Sequence, residues 1–382
     1  MSTNATVRAD AESGLRVLYV CHVSELGGAE WSLIDLVHGM RRYGHTPVVA
    51  LPKAGPLAME LRRARAEVVF CRALGRLRRK AGLSASLRLM FGMQQLRCAV
   101  RAHSIDLIHA NSATAGLFSL AARRPLVWHV RDLVAGPETA WLARRAALSI
   151  APSRACARLL RLTAPAARVA VVPNGVEVAR FTSIKSVASP SAESLPLAVA
   201  IGHLAPWKGH ELLLQAVRLV RRAGVPLRLL VVGGDPFDDR QGSVGELQRR
   251  VDALGLTSSV QLIGAVSDVS PWLARASLTI HAAYPEPFGR VVVESMAAGV
   301  PVVAFAGEHG PAEILANGEG GWLAAERTPH ALAAAIIQAF ANPRDLRARG
   351  ERAQREAILR YDRQSMAALI ANEYRAVLRN DG

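Results

Sequence analysis

His281-Ala282-Ala283-Tyr284-Pro285-Glu286-Pro287-Phe288-Gly289-Arg290-Val291-Val292-Val293-Glu294-Ser295-Met296-Ala297-Ala298-Gly299-Val300-Pro301 is the stretch on which the fold turns. A strand over Leu278–His281 ends in a loop that Pro285 and Pro287 hold extended, and Gly289 then opens an apolar helix over Val291–Ala298. A second β-branched run, Val300–Phe305, follows at once. Strand, helix and strand in this order form a βαβ unit with parallel strands. Glu286 falls in the loop and Glu294 in the second helical turn, so the two carboxylates can meet neighbouring parts of one ligand. Backbone N–H groups near Gly289 and Arg290 are available to an anionic centre between them. The bland alternative is one capping and one surface glutamate.

The same alternation extends in both directions. Ahead lie strand candidates at Leu197–Ile201, Leu227–Val232 and Val260–Ile263, with helices at Glu211–Arg222 and Gly245–Leu254. Behind lie a weak strand at Gly321–Leu323 and a helix at Pro329–Ala341. An earlier series runs through Leu15–Cys21, Thr46–Leu51, Ala66–Cys71, Ile105–Ala110, Leu126–Val130, Leu148–Ala151 and Val169–Val172, with a helix at Ala29–Tyr43. Several of these runs are continuously apolar, as strands buried on both faces must be. Between the series, residues 182–196 are rich in Ser, Ala and Pro. The reading is two doubly wound, Rossmann-like α/β domains with a cleft between them. A lead-in covers 1–14, the first domain 15–178, a linker 179–196 and the second domain 197–358. Helices without strands follow over Asp345–Leu378, the last of them (359–382) able to pack back on the first domain.

The 382 residues suit about two to three domains, and 51% hydrophobic residues with 20% charged exclude intrinsic disorder. Cys21, Cys71, Cys98 and Cys156 are far apart, which argues against a disulfide scaffold or zinc module and for a reducing cytoplasm. No apolar run reaches the roughly 18–20 residues that span a bilayer, and the polar amino terminus does not read as a signal peptide. The net charge of +16 is uneven: residues 1–178 carry 25 basic and 11 acidic side chains, leaving the rest at +2. The first half therefore faces something anionic, or reflects an arginine-rich composition with only four lysines, Lys53, Lys80, Lys185 and Lys208.

Two further strand-end loops carry chemistry. Gly27-Gly28-Ala29-Glu30 puts paired glycines at a helix start, which suits either phosphate binding or a plain strand–helix turn. Gly202-His203-Leu204-Ala205-Pro206-Trp207-Lys208-Gly209-His210 sets a scarce lysine and a glycine ahead of a helix, where an ammonium can face a phosphate.

The Glu286-to-Glu294 run resembles the Glu-x7-Glu signature of the family-four retaining glycosyltransferases, which have the GT-B fold. Gly27–Glu30, Val172-Pro173-Asn174-Gly175-Val176, Lys208-Gly209 and Gly299-Val300-Pro301-Val302-Val303 match in the family's order and cover most of the chain. The resemblance implies a nucleotide-activated sugar on the second domain and an acceptor on the first. Glu286 then contacts donor-sugar hydroxyls, and Glu294 the nucleotide ribose. Backbone groups over Phe288, Gly289, Arg290, Val291 and Val292 hold sugar and diphosphate, and Lys208 neutralises the diphosphate. Gly27 and Gly28 approach it from the other domain.

His129, in Trp128-His129-Val130-Arg131-Asp132, resembles the family's active-site histidine, and Asn111 is a weaker candidate for acceptor contact. The catalytic set is Glu286, His129 and Lys208. Retention implies same-face attack, with a leaving-group oxygen taking the acceptor's proton. No metal or other cofactor is expected, the acids Asp235, Asp238 and Asp239 reading as a solvated loop. His203 stands where the family usually has arginine, and an uncompensated loss of that contact costs about 1.5–3 kcal/mol.

Residues 68–105 hold eight basic side chains (Arg72, Arg76, Arg78, Arg79, Lys80, Arg88, Arg97, Arg101) and no acid. Leu89, Met93, Leu96 and Val100 form an apolar stripe there, which either meets anionic lipid or faces the core. The expected partners are a nucleotide-sugar donor, an acceptor glycan or lipid-linked glycan of polysaccharide synthesis, and an anionic membrane surface through residues 72–101, with no nucleic acid. The expected location is cytoplasmic, peripheral on the inner membrane. Alternatives of other chemistry are a GT-B epimerase or phosphorylase, and a non-catalytic binder of anionic surfaces. A dinucleotide oxidoreductase is disfavoured because Val231-Val232-Gly233-Gly234-Asp235 lacks the G-x-G-x-x-G spacing.

Overall fold

The computed structural model describes residues 14–75, 82–133, 135–183, 196–234, 244–315 and 319–380. The first sheet comprises β1 (Arg16–Val20), β2 (Thr46–Leu51), β3 (Glu67–Phe70), β4 (Leu107–Ala110), β5 (Leu126–His129), β6 (Leu148–Ala151) and β7 (Val169–Val171), in the order β3-β2-β1-β4-β5-β6-β7. The second comprises β8 (Leu197–Ile201), β9 (Arg228–Val232), β10 (Val260–Gly264), β11 (Leu278–His281), β12 (Val302–Phe305) and β13 (Gly321–Ala324), in the order β10-β9-β8-β11-β12-β13. Neighbouring strands run parallel, with Val17 opposite Leu107 and Thr279 opposite Val302, for example. Both orders reverse beside the first strand of their series, the switch point at which such sheets bind ligands beyond the strands' carboxyl ends.

The apolar runs are buried on both faces. In the second sheet Leu229, Val231, Val303 and Phe305 pack on one side, with helices His210–Arg222 and Pro329–Ala341. Leu230, Val232, Val302 and Ala304 pack on the other, with helices Arg290–Ala297 and Pro343–Arg360. Consecutive residues thus serve opposite cores, which is why these strands show no polar alternation. The weak signal at Gly321 has a steric cause. A Cβ there would stand 2.0 Å from the Val302 carbonyl oxygen, so β13 can lie against β12 only with glycine at that place.

The linker segment begins as a short helix, Val178–Thr182, whose Phe181 is buried; residues 184–195 lie outside the described residues. Two long helices close the chain, Pro343–Arg360 and Arg363–Asn380. Among the described residues one compact unit takes in the chain up to His129, Arg145–Leu148 and the residues from Ile370 onward. The other takes in Val130–Arg144 and Ser149–Leu369.

Helix Gly82–Ala102 decides between the two readings of its apolar stripe. Leu96 and Val100 are buried and Leu89 and Met93 half-buried, so that stripe faces the protein and is not a lipid-facing one. Gly92 lets the helix approach Phe118, whose ring a Cβ would meet at 2.4 Å. The exposed apolar side chains are Leu87, Met90 and Phe91, on the opposite side. Of the basic residues, Arg88 donates to the Ala73 and Leu74 carbonyls. Arg76, Arg78, Arg79 and Lys80 lie outside the described residues.

Candidate active site

In the second unit the chemistry gathers at the carboxyl ends of β8 and β11. The loop after β8 tightens into a 3-10 turn, Pro206–Lys208, ended by Gly209 at φ +73°. A side chain at Gly209 would be strained, and its Cβ would stand 2.3 Å from the Ala282 carbonyl oxygen. Glycine therefore lets the lysine loop press against the end of β11. The result is a direct ion pair across 78 positions, with Lys208 Nζ donating to Glu286 Oε2 at 2.6 Å. Both side chains are largely withdrawn from water, at 19% and 14% exposure. Burial alone would raise the Glu286 carboxyl, but Lys208, His281 and His309 outweigh it and hold the group below the usual carboxylate range.

Two histidines support this pair. His281, at the end of β11, lies 3.8 Å from Glu286 Oε2 and is fully buried, which pushes its imidazole down to about 4 against the pull of Glu286. It is therefore neutral at physiological pH. His309 bonds through Nε2 to the Phe305 carbonyl at 2.8 Å, stacks edge-on to Tyr284 and is also lowered, chiefly by burial. Glu286 is fixed from behind as well, its carbonyl accepting from the Gly310 N–H at 2.9 Å.

Helix Arg290–Ala297 starts beyond Gly289, which has φ +91° and supplies no side-chain cap. Phe288 is buried, and Val291 is half-buried on the first turn. Glu294 is buried one turn further on and accepts from Arg290 Nε at 2.7 Å. The carboxylate keeps further lone pairs for ligand hydroxyls. His203 is half-buried in the lysine loop, and its carbonyl oxygen bonds to His210 Nε2 at 2.9 Å. The 172–176 motif is structural. Arg131 Nη1 donates to Asn174 Oδ1 at 2.8 Å, Val176 N–H donates to the Tyr361 carbonyl, and a Cβ on Gly175 would meet Arg363 Cα at 2.6 Å.

The first unit holds the remaining candidates. Gly27 precedes helix Gly28–Arg42 without a side-chain cap, and a Cβ on Gly28 would meet nothing within 4 Å. Asn111 is buried at the end of β4 and is spent on protein groups, its Nδ2 donating to the Ala29 carbonyl at 3.3 Å. It ties the glycine turn to the sheet. His129, at the end of β5, is fully buried with its Nδ1 at 3.1 Å from His109 Nε2, and His109 Nδ1 is 2.6 Å from the Tyr374 hydroxyl. Tyr374, His109 and His129 thus form one buried hydrogen-bonded row, in which the tautomer of each ring sets which nitrogen donates.

His281, His309, His109 and Tyr374 were not singled out by the sequence. His281 and His109 stood inside noted stretches, the latter in His109-Ala110-Asn111-Ser112, and nothing in the local pattern marks Tyr374. Asp235, Asp238 and Asp239 lie outside the described residues. Among the described residues no cluster of three or more His, Cys, Asp or Glu could hold a metal ion, and no helix is long and apolar enough to cross a membrane.

Two parallel doubly wound sheets, with a lysine–glutamate pair and a glycine-started helix at the strand ends of the second, define the GT-B class. Residues 26–180 match the family described as Glycosyltransferase Family 4, and residues 182–356 that described as Glycosyl transferases group 1. A D-inositol 3-phosphate glycosyltransferase of Streptomyces scabiei is 30% identical over 75% of this chain and 71% of its own length. A phosphatidyl-myo-inositol mannosyltransferase of Mycobacterium leprae is 33% identical over 54% and 53%. The chain spans about half the length of several curated relatives it matches. The crystal structure of Anabaena HepE in complex with UDP and glucose superposes with a TM-score of 0.78 at 25% identity, covering 94% of this chain and 99% of that one. The chain belongs to the family-four glycosyltransferases.

Proposed function

We propose that this protein is a retaining glycosyltransferase that moves a sugar from a nucleoside diphosphate donor to an acceptor hydroxyl on a glycan or lipid-linked glycan. The observation that carries the reading is the buried Lys208–Glu286 pair beside the Gly289 helix start. Breaking the anomeric bond leaves negative charge on the diphosphate and positive charge on the sugar. Lys208 and the first-turn N–H groups oppose the former, and Glu286 orients the sugar through its hydroxyls. In the absence of donor the two side chains neutralise each other, so binding exchanges that pair for contacts with phosphate and sugar. Glu294 takes the ribose while Arg290 holds its carboxylate in place. This division of charge needs no metal, and His129 serves the sugar or acceptor. The structures of HepE with UDP, and with UDP-glucose, support a uridine nucleotide as the first donor to try.

The test is transfer or donor hydrolysis with a panel of nucleotide sugars, comparing wild type with Glu286→Gln and Lys208→Met. Loss of turnover in both, with folding retained, is expected; near-normal turnover in both would overturn the assignment.

A second reading concerns location. Leu87, Met90 and Phe91 are 46%, 65% and 67% exposed on helix Gly82–Ala102, in the half of the chain with the positive excess. We infer that this face rests on the cytoplasmic surface of an anionic membrane, giving access to a lipid-linked acceptor. Flotation with phosphatidylglycerol vesicles tests it, and equal flotation of a Leu87→Ser/Met90→Ser/Phe91→Ser variant would refute it.

A further inference from the structure

Helix Gly82–Ala102 leads into β4, and helix Ala113–Ser119 leads into β5. The end of the first helix and the turn after the second therefore meet at the amino edge of the first sheet, where the Ile108 N–H donates to the Pro125 carbonyl. This is the edge away from the strand ends at which Gly27, Asn111 and His129 lie. A cavity of ≈ 430 Å³ opens there, and Arg97, Arg101, Arg123 and Arg124 all line it. No carboxylate does. The acid nearest in sequence, Asp106, accepts from the Arg16 backbone N–H at 2.8 Å. Among the described residues, none of the four arginines forms an ion pair.

The cluster is held in shape by the backbone. Arg97 Nε donates to the Ala121 carbonyl at 2.6 Å, which fixes one guanidinium while its other donors remain for a ligand. Arg123 has φ +55°, a left-handed conformation that glycine adopts freely and arginine does not. The turn nevertheless carries arginine at that position and at the next. Four like charges around one cavity repel one another, and an anion with several oxygens relieves the repulsion. Guanidinium forks match phosphate oxygens in pairs.

We propose that this cavity binds a phosphoryl group, as a phosphomonoester or a diphosphate, at a site separate from the donor's. The shared chemistry admits a soluble phosphorylated compound or a lipid headgroup. The proposal does not rest on the transfer reaction, because none of its residues belongs to the candidate active site.

The experiment titrates the full chain with inorganic pyrophosphate by calorimetry, comparing wild type with Arg123→Gly/Arg124→Ala. Glycine suits φ +55° and Arg124 is exposed, so the variant keeps its fold, and an unchanged Tm verifies this. Wild type is expected to bind one equivalent that the variant binds at least about tenfold more weakly. Equal stoichiometry and affinity in the two proteins would overturn the site. A parallel sedimentation with phosphatidic acid and phosphatidylcholine vesicles separates the sources. Sedimentation with the acidic vesicles that the variant loses assigns a lipid headgroup, and a calorimetric difference without sedimentation assigns a soluble ligand. Should no nucleotide sugar be turned over, the calorimetric difference still stands, so the two readings fail separately.

Discussion

Replacing Lys208 by methionine keeps most of the side chain's apolar stem and removes its charge, leaving Glu286 buried at 14% exposure without its 2.6 Å partner. Breaking a buried pair from one side costs about 3–5 kcal/mol, and the small remaining exposure favours about 3, roughly a hundredfold in the folding equilibrium. The cost depends on pH in a defined direction. In the wild type the Glu286 carboxyl is held below its unfolded value, so its contribution is present above that value and is lost as pH falls through the lowered one. In the variant the burial that opposes ionisation acts without Lys208, and the carboxyl rises. His281 rises too, since Lys208 is among the charges that hold it down. The pair then takes up a proton as pH falls, and the penalty fades. Urea denaturation at pH 8 and pH 5 should therefore show a wide gap between wild type and variant at the higher pH and a much narrower one at the lower. A gap of equal size at both would refute the ion-pair account. Lys208→Met/Glu286→Leu should recover most of the stability and none of the transfer.

Gly209→Ala sets a side chain at φ +73° against the Ala282 carbonyl, and should cost at least about 2 kcal/mol in chemical denaturation while displacing Lys208 and weakening donor binding. Tyr374→Phe removes the hydroxyl beside His109; a stability loss of about 1 kcal/mol and an altered pH profile of transfer are expected, the profile being the part a purely packing role would leave unchanged. Glu294→Gln should weaken nucleoside diphosphate binding by calorimetry about tenfold or more, while Glu286→Gln affects turnover more than nucleotide affinity.

The sheets were readable because their strands serve two cores at once: a run such as Leu229 to Val232 has no polar face to confuse with a helix. Lys208 could be singled out beside Gly209 in a strand-end loop, and Glu286 and Glu294 as the two acids flanking the Gly289 helix start. Their pairings could not. Nothing within a few positions of Lys208 says that it meets a carboxylate 78 residues later, and the steric need for Gly209 appears only when Ala282 is in place. The His109–His129–Tyr374 chain is longer-range still, joining two strand residues to a terminal helix. On helix Gly82–Ala102 the pattern left two readings open because apolar residues run round much of the circumference. Leu96 and Val100 went inward and Met90 and Phe91 outward, and only packing against Phe118 decides which side is which.

Tyr374 comes from nearly the last turns of the chain, yet its ring is wholly enclosed beside His109 in the unit that begins at the amino terminus. During synthesis that unit must wait with an unfilled slot until helix Arg363–Asn380 has left the ribosome. Residues 14–183 expressed alone are expected to leave the slot beside His109 open, and removing residues 370–380 should reopen it in the longer chain.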